Sequence, residues 1–287
     1  LTAAFTMANC TPMSFFMDVL VALLPLLYGV TAINYTIYFV RHDDFAKRTC
    51  TKLLVATFCT HLCFFLLRFG AYDRFPMANL AEVLSMIALA ICTIYLYVEK
   101  IQGIKETGCF VLSFIVLLQL IASGLLPHAI TPGSEILATP LFGMHLVFAV
   151  FGYSGFFVGA AYSFMAFLLY RALKKQNFGL IFDRLPSLDT LIQMSFGAAL
   201  LGWCAFSLAI LLGMLMSFKM GSQFIYDPQF MATIMIWFIY VFTIIAYFKL
   251  GWRNIRAIYL SLFGFSVAII AVLGAMFIRT SFHGFNS

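Results

Sequence analysis

Charge is what this sequence lacks most. Of its 287 residues only 10% are Asp, Glu, Lys or Arg, whereas 63% are hydrophobic. A water-soluble domain carries about 25% charged and about 45–50% apolar residues. No soluble surface can be made from so few charges, so lipid is the solvent. The chain also lacks internal repeats, low-complexity tracts and a soluble domain. No basic stretch precedes the first apolar run, so a cleaved signal peptide is not expected. The apolar runs are continuous and show no ten-residue alternation, which argues against a membrane β-barrel. The formal charge of +6 is not a nucleic-acid signal, because the cations are confined to short loops between apolar runs.

What is present is a series of long apolar segments. About 20 apolar residues are needed to cross the hydrocarbon as a helix. Eight stretches qualify: 15–40, 53–70, 79–98, 109–126, 141–170, 190–218, 230–248 and 257–278. The expected fold is all-α, a polytopic transmembrane bundle of about eight helices forming one integral membrane domain over residues 1–287. The lysines and arginines give its orientation. Arg41, Lys47, Arg48, Lys52, Lys100, Lys105, Arg171, Lys174, Lys175, Arg184, Lys249, Arg253 and Arg256 fall on one side. Only Arg68, Arg74, Lys219 and Arg279 fall on the other. The positive-inside rule makes the first side cytoplasmic and puts both termini outside. A bacterial inner membrane is the expected location.

Five histidines are candidates for chemistry. His42 lies in a cytoplasmic loop beside Asp43 and Asp44 and reads as solvated. His128 lies in an outer loop. His145 opens the fifth segment and His283 follows the eighth, so both fall on the outer rim. Between them in sequence the outer loop "GSQFIYDP" supplies aromatic and acidic side chains. Two neutral imidazoles across flat apolar walls suit haem iron, which takes two axial nitrogens; two interfacial histidines with no ligand fit the same positions. His61 is mid-span, where polar groups are costly. It reads either as a within-membrane iron ligand or as a helix–helix hydrogen-bonding residue. Cys59 and Cys63 flank it in "CTHLC", but three donors on one helix cannot complete a tetrahedral site alone. The other cysteines sit mostly in apolar runs, as small hydrophobes do. No CxxCH occurs, so the chain is not itself a c-type cytochrome.

Several motifs match a known family in order and spacing. The stretch "RFGAYDRFPMANLAEV" has an Arg, a short loop, then Pro76, Asn79 and Glu82 opening the next helix. A Leu-Asp-x-Leu segment begins at Leu188. Gly221, Asp227, Pro228, Trp237, Gly251, Trp252 and Arg253 keep the spacing of a tryptophan-rich loop, the helix after it and a Gly-Trp-Arg turn. "SFHGF" sets His283 after the last helix. From about Leu53 to the C-terminus the chain resembles the cytochrome c assembly family of haem-handling membrane proteins, which includes CcsA-type, CcmC and HemX-like members.

The resemblance implies haem presented at the outer face, with His145 and His283 as axial ligands and Asp227 as the loop aspartate. Phe224 and Tyr226 occupy the two loop tryptophan positions. They keep aromatic faces for stacking but lose the indole N–H donors. Ile245 stands where CcsA-type synthases tend to carry an embedded histidine. These departures point to the short HemX-like branch. The implied partners are haem, an apocytochrome c and a membrane subunit of an assembly system, in the lipid bilayer and without nucleic acid. The alternative is a HemX-like membrane regulator of haem biosynthesis without catalysis. A small-solute transporter is the weaker third reading, since no charged relay or broken helix pair marks a midplane site.

Overall fold

The computed structural model describes residues 12–125, 139–176, 179–220 and 228–277. They form nine helices among the described residues: α1 (Pro12–Arg41), α2 (Asp44–Tyr72), α3 (Leu80–Gln102), α4 (Gly108–Leu125), α5 (Pro140–Lys174), the short α6 (Leu180–Arg184), α7 (Leu188–Met220), α8 (Pro228–Phe248) and α9 (Ile255–Phe277). All except α6 are long and apolar enough to cross a membrane. Helices are the expected solution, because every backbone N–H and C=O in hydrocarbon needs a partner within its own segment. α2 starts at Asp44, well before the apolar run at Leu53. Its first turn is stabilised from outside that run, by the Asp43 carboxylate accepting from Ala46 N–H at 2.8 Å.

The chain divides into two compact units. Leu1–Thr93 with Gly108–Thr139 make the first, and Ile94–Thr107 with Pro140–Ser287 the second. In the first, α1 packs against both α2 and α4. Tyr28, Leu24, Leu54 and Phe64 are buried there. In the second, α5 and α7 share the most extensive interface, and small residues make it possible. Gly155 lies so close to Gly202 that a Cβ there would run into the Gly202 backbone. A Cβ at Gly152 would meet Phe206 at 2.8 Å, and one at Gly159 would meet the Ser195 carbonyl at 3.0 Å. In lipid there is no hydrophobic drive between helices, so close backbone approach through small residues supplies the association. Beside this seam lies an aromatic core of Phe156, Phe206, Ile236 and Tyr240, with Phe156 and Tyr240 stacked 3.6 Å apart.

Substitution tests this seam. Gly155→Leu forces α5 and α7 apart and is expected to cost about 1–3 kcal/mol or more, the range for overpacking. The thermal unfolding midpoint of purified protein should fall sharply. Gly197→Ala, whose Cβ meets nothing within 4 Å, should leave it unchanged.

Candidate functional site

In the second unit, His145 sits on the first turns of α5, which begins at Pro140. Its Nδ1 is 2.8 Å from the Ala209 carbonyl of α7. A carbonyl only accepts, so Nδ1 carries the proton and the ring's lone pair is on Nε2. Gly213, one turn beyond Ala209, allows this approach: a Cβ there would lie 3.1 Å from His145 Cε1. His145 borders a cleft between α5, α7 and α8. Leu146, Ala149, Phe206 and Ile210 make its apolar wall, and Tyr153, Gln229 and Thr233 add polar groups. Binding sites for small molecules are typically apolar clefts with a few placed polar groups. Trp237, central in α8, packs against the aromatic core and donates from its indole N–H to Ser207 Oγ at 2.8 Å. Ile245 is 47% exposed and faces away from this core.

In the first unit His61 is buried and part of a hydrogen-bond chain through four helices. Ser123 Oγ donates to the Val21 carbonyl at 2.9 Å. That donation uses its only proton, so Ser123 must accept from Gln119 Nε2, at 3.3 Å. Gln119 therefore turns its Oε1 toward Ser85, which donates to it at 3.2 Å. Ser85 in turn accepts from His61 Nε2–H at 2.9 Å. The remaining His61 nitrogen, Nδ1, accepts from the Tyr28 hydroxyl at 2.9 Å. One backbone carbonyl thus sets the direction of every bond in the chain and makes His61 a neutral Nε2–H tautomer. Iron ligation by His61 would require release of Ser85 or Tyr28. Cys59 and Cys63 are exposed, on faces other than that of buried His61.

Near the α2–α3 turn, Glu82 is 3% exposed and holds two arginines. Arg68 Nη2 donates to its Oε1 at 2.6 Å, and Arg74 Nη1 to its Oε2 at 3.1 Å. Ala78 N–H adds a third bond, to Oε2 at 2.7 Å. Asn79 caps α3, its Oδ1 accepting from Glu82 N–H at 2.9 Å. The Tyr72 ring lies 4.8 Å from the Arg68 guanidinium and 5.5 Å from that of Arg74. Arg68, Pro76, Glu82, Ser85 and His61 line one small cleft. The spacing of Pro76, Asn79 and Glu82 pointed to this turn. Arg74 as a second partner of Glu82 was missed; a cation four residues after the end of the apolar run 53–70 was the available signal.

His128, Phe224, Tyr226, Asp227 and His283 lie outside the described residues.

Comparison with known proteins decides the family. Residues 77–283 match the family described as Cytochrome C assembly protein. The chain belongs to this family. The matched region opens at the turn that carries Glu82 and closes at His283, so it contains Ser85, His145 and Gly213 but not Tyr28, His61 or Arg68. Among the family's relatives, "Cytochrome c biogenesis protein CcsA" of Heterosigma akashiwo is 25% identical over 254 residues, covering 76% of this chain and 79% of the relative. "Protein HemX" of Brevibacillus brevis is also 25% identical, over 259 residues, covering 90% of this chain and 94% of the relative. "Protein HemX" of Bacillus subtilis is 20% identical over 224 residues, covering 75% of this chain and 78% of the relative. Among solved structures, "Cytochrome c Heme Lyase CcmF" superposes with a TM-score of 0.62 at 14% identity, covering 93% of this chain. The chain spans half the length of that structure, and at this identity the likeness is one of fold. With eight apolar helices, this member of the cytochrome c assembly family is an integral multi-pass membrane protein.

Two predictions concern the first unit. Glu82→Gln removes the carboxylate charge from two buried guanidiniums and is expected to destabilise the protein by about 3–5 kcal/mol, as breaking a buried pair does. Thermal melting of the purified variant checks this. In protein labelled with ¹⁵N-histidine, the His61 resonances should show a protonated Nε2 and an unprotonated Nδ1. The opposite pattern would mean that the chain does not run from Tyr28 to Val21 as derived.

Proposed function

We propose that the protein binds haem at its outer face, with His145 as one axial ligand, and presents it for cytochrome c assembly. The observation that carries this reading is the Nδ1–H of His145 donated to the Ala209 carbonyl beside a largely apolar cleft. Histidines that ligate metals regularly donate their other N–H to a carbonyl or carboxylate, which fixes the ring and raises the basicity of the ligating nitrogen. Ala209 does this for His145, and Gly213 leaves the ring room to sit there. The apolar side of the cavity suits a porphyrin face, and Tyr153, Gln229 and Thr233 offer polar contacts to its edge. These residues fit haem.

The reading extends to residues outside the described set. His283 would be the second axial ligand. Phe224, Tyr226 and Asp227 would form the loop beneath the ring. The orientation with both termini outside follows from the bias of lysine and arginine, and this reading expects a bacterial inner membrane. Haem supplies the iron and the vinyl groups to which the CxxCH thiols of an apocytochrome c add. This chain would bind and orient it and shield it from water. A membrane partner subunit would complete the assembly system.

A specific observation favours a second reading. The match to HemX of Brevibacillus brevis covers 94% of that protein, and the loop lacks both tryptophans. In this reading the chain regulates haem biosynthesis through membrane interactions and performs no attachment chemistry.

Absorption spectroscopy of purified protein separates the two. The first reading predicts a bis-imidazole haem spectrum in the wild type, lost in His145→Ala and in His283→Ala. An unchanged spectrum in both variants would sink the ligand assignment. Wild-type protein purified without haem, together with intact c-type cytochromes after deletion of the gene, would favour regulation.

A further inference from the structure

The lysine- and arginine-rich end of the second unit carries a cleft that the haem reading does not use. It is a shallow cleft between α5, α7, α8 and α9. Its floor is a set of hydroxyls already bonded to one another: Ser163 and Ser195 are 2.8 Å apart, and Ser195 and Ser261 3.3 Å. The floor therefore asks for no polar ligand. The walls are aromatic. Phe196 and Tyr247 stack at 3.8 Å with 9° between their planes, and Trp252 completes the lining. Phe248 meets Phe196 edge-on and is 59% exposed, so the aromatic wall continues onto the outer surface of this unit.

Cations stand over these rings. The guanidinium of Arg253 is 4.9 Å from the Tyr247 ring centroid, and that of Arg256 is 5.6 Å from Trp252. Both arginines are exposed, and neither has an ion-pair partner among the described residues. The segment from Lys249 to Arg256 adds a third cation and contains no acid. The turn is held in shape by Gly251, whose φ of 64° lies in the left-handed region, and by Trp252 N–H donating to the Ala246 carbonyl at 3.0 Å. The occupant that complements this place has an anion at one end and hydrocarbon at the other. It resides at the end of a membrane span, where basic pockets between helices hold anionic lipid headgroups.

We propose that this cleft is a binding site for an anionic phospholipid. The phosphate sits between Arg253 and Arg256, and the start of an acyl chain lies against Tyr247, Trp252 and Phe196. The site selects by charge, because the walls themselves treat all acyl chains alike.

The test uses the full chain in nanodiscs of phosphatidylcholine containing a minor fraction of phosphatidylglycerol. Bromine is placed on the acyl chains of one lipid or the other, and tryptophan quenching is read. Subtraction of the signal from a Trp252→Phe variant isolates Trp252 from Trp203 and Trp237. At equal mole fraction, brominated phosphatidylglycerol should quench Trp252 more strongly than brominated phosphatidylcholine. Titration of the mole fraction should give a preference of about 30-fold for two cations near the headgroup. The double variant Arg253→Gln with Arg256→Gln should lose the preference, whereas Arg253→Lys with Arg256→Lys should keep most of it. Equal quenching by the two lipids in wild-type protein overturns the proposal. A preference unchanged in the folded Gln double variant does so as well. If the Gln variant fails to fold, the wild-type comparison and the Lys variant still decide: a preference lost in the folded Lys variant also overturns the site.

Discussion

Inside hydrocarbon a polar side chain has no water to return to, and its partner must come from the protein. This constraint organises the first unit. His61, Ser85, Gln119 and Tyr28 come from four different helices, and each meets the hydrogen-bonding needs of another. Rotation of any one of these helices would break at least one bond of the chain. Such bonds are individually modest in membranes, about 0.6 kcal/mol on average by double-mutant cycles. Their effect here is to fix register, because a continuous chain with one terminal acceptor tolerates only one arrangement of donors.

The same constraint explains the turn between α2 and α3. A carboxylate at the start of a span would be costly alone. Arg68 arrives from the last turns of α2 and Arg74 from the connecting turn, and together they neutralise Glu82 and hold the turn against the start of α3. Tyr72 covers both guanidiniums with one ring. The second unit solves its packing problem differently. There the close seam of Gly152, Gly155 and Gly159 against α7 brings backbones together through small residues, and an aromatic core fills the space beside it.

The eight spans were legible because twenty-residue apolar runs have few other readings. The start of α2 was less so, since its first turns are charged and helical through the Asp43 cap. Asn79 and Glu82 were visible as a spacing, and Asn79 does cap the helix. Glu82's second arginine was not visible, because a loop residue announces no direction for its side chain. The setting of His145 was also hidden. Its partner is a backbone carbonyl 64 residues away, and carbonyls carry no residue-type signal. The cleft at the basic end is formed by four helices, so no single segment encodes it, although the Gly-Trp-Arg turn that closes it stood out.

The two described membrane histidines invite comparison, because their partners give them opposite tautomers. His145 donates from Nδ1 to a carbonyl, which places its lone pair on Nε2, the nitrogen farther from its backbone. His61 donates from Nε2 to Ser85 and accepts at Nδ1 from Tyr28. A ring whose Nδ1–H is given to a backbone carbonyl has its orientation and tautomer set by that bond. A ring bonded at both nitrogens to side chains of other helices acts as a strut. Freeing either nitrogen of His61 breaks a hydrogen bond that also holds the helices in register, whereas the bond of His145 to Ala209 uses Nδ1 and not Nε2. The hydrogen-bond partner therefore separates the two residues by tautomer more sharply than burial or position in the span, and under the haem binding proposed above it is the Nε2 of His145 that would meet the iron.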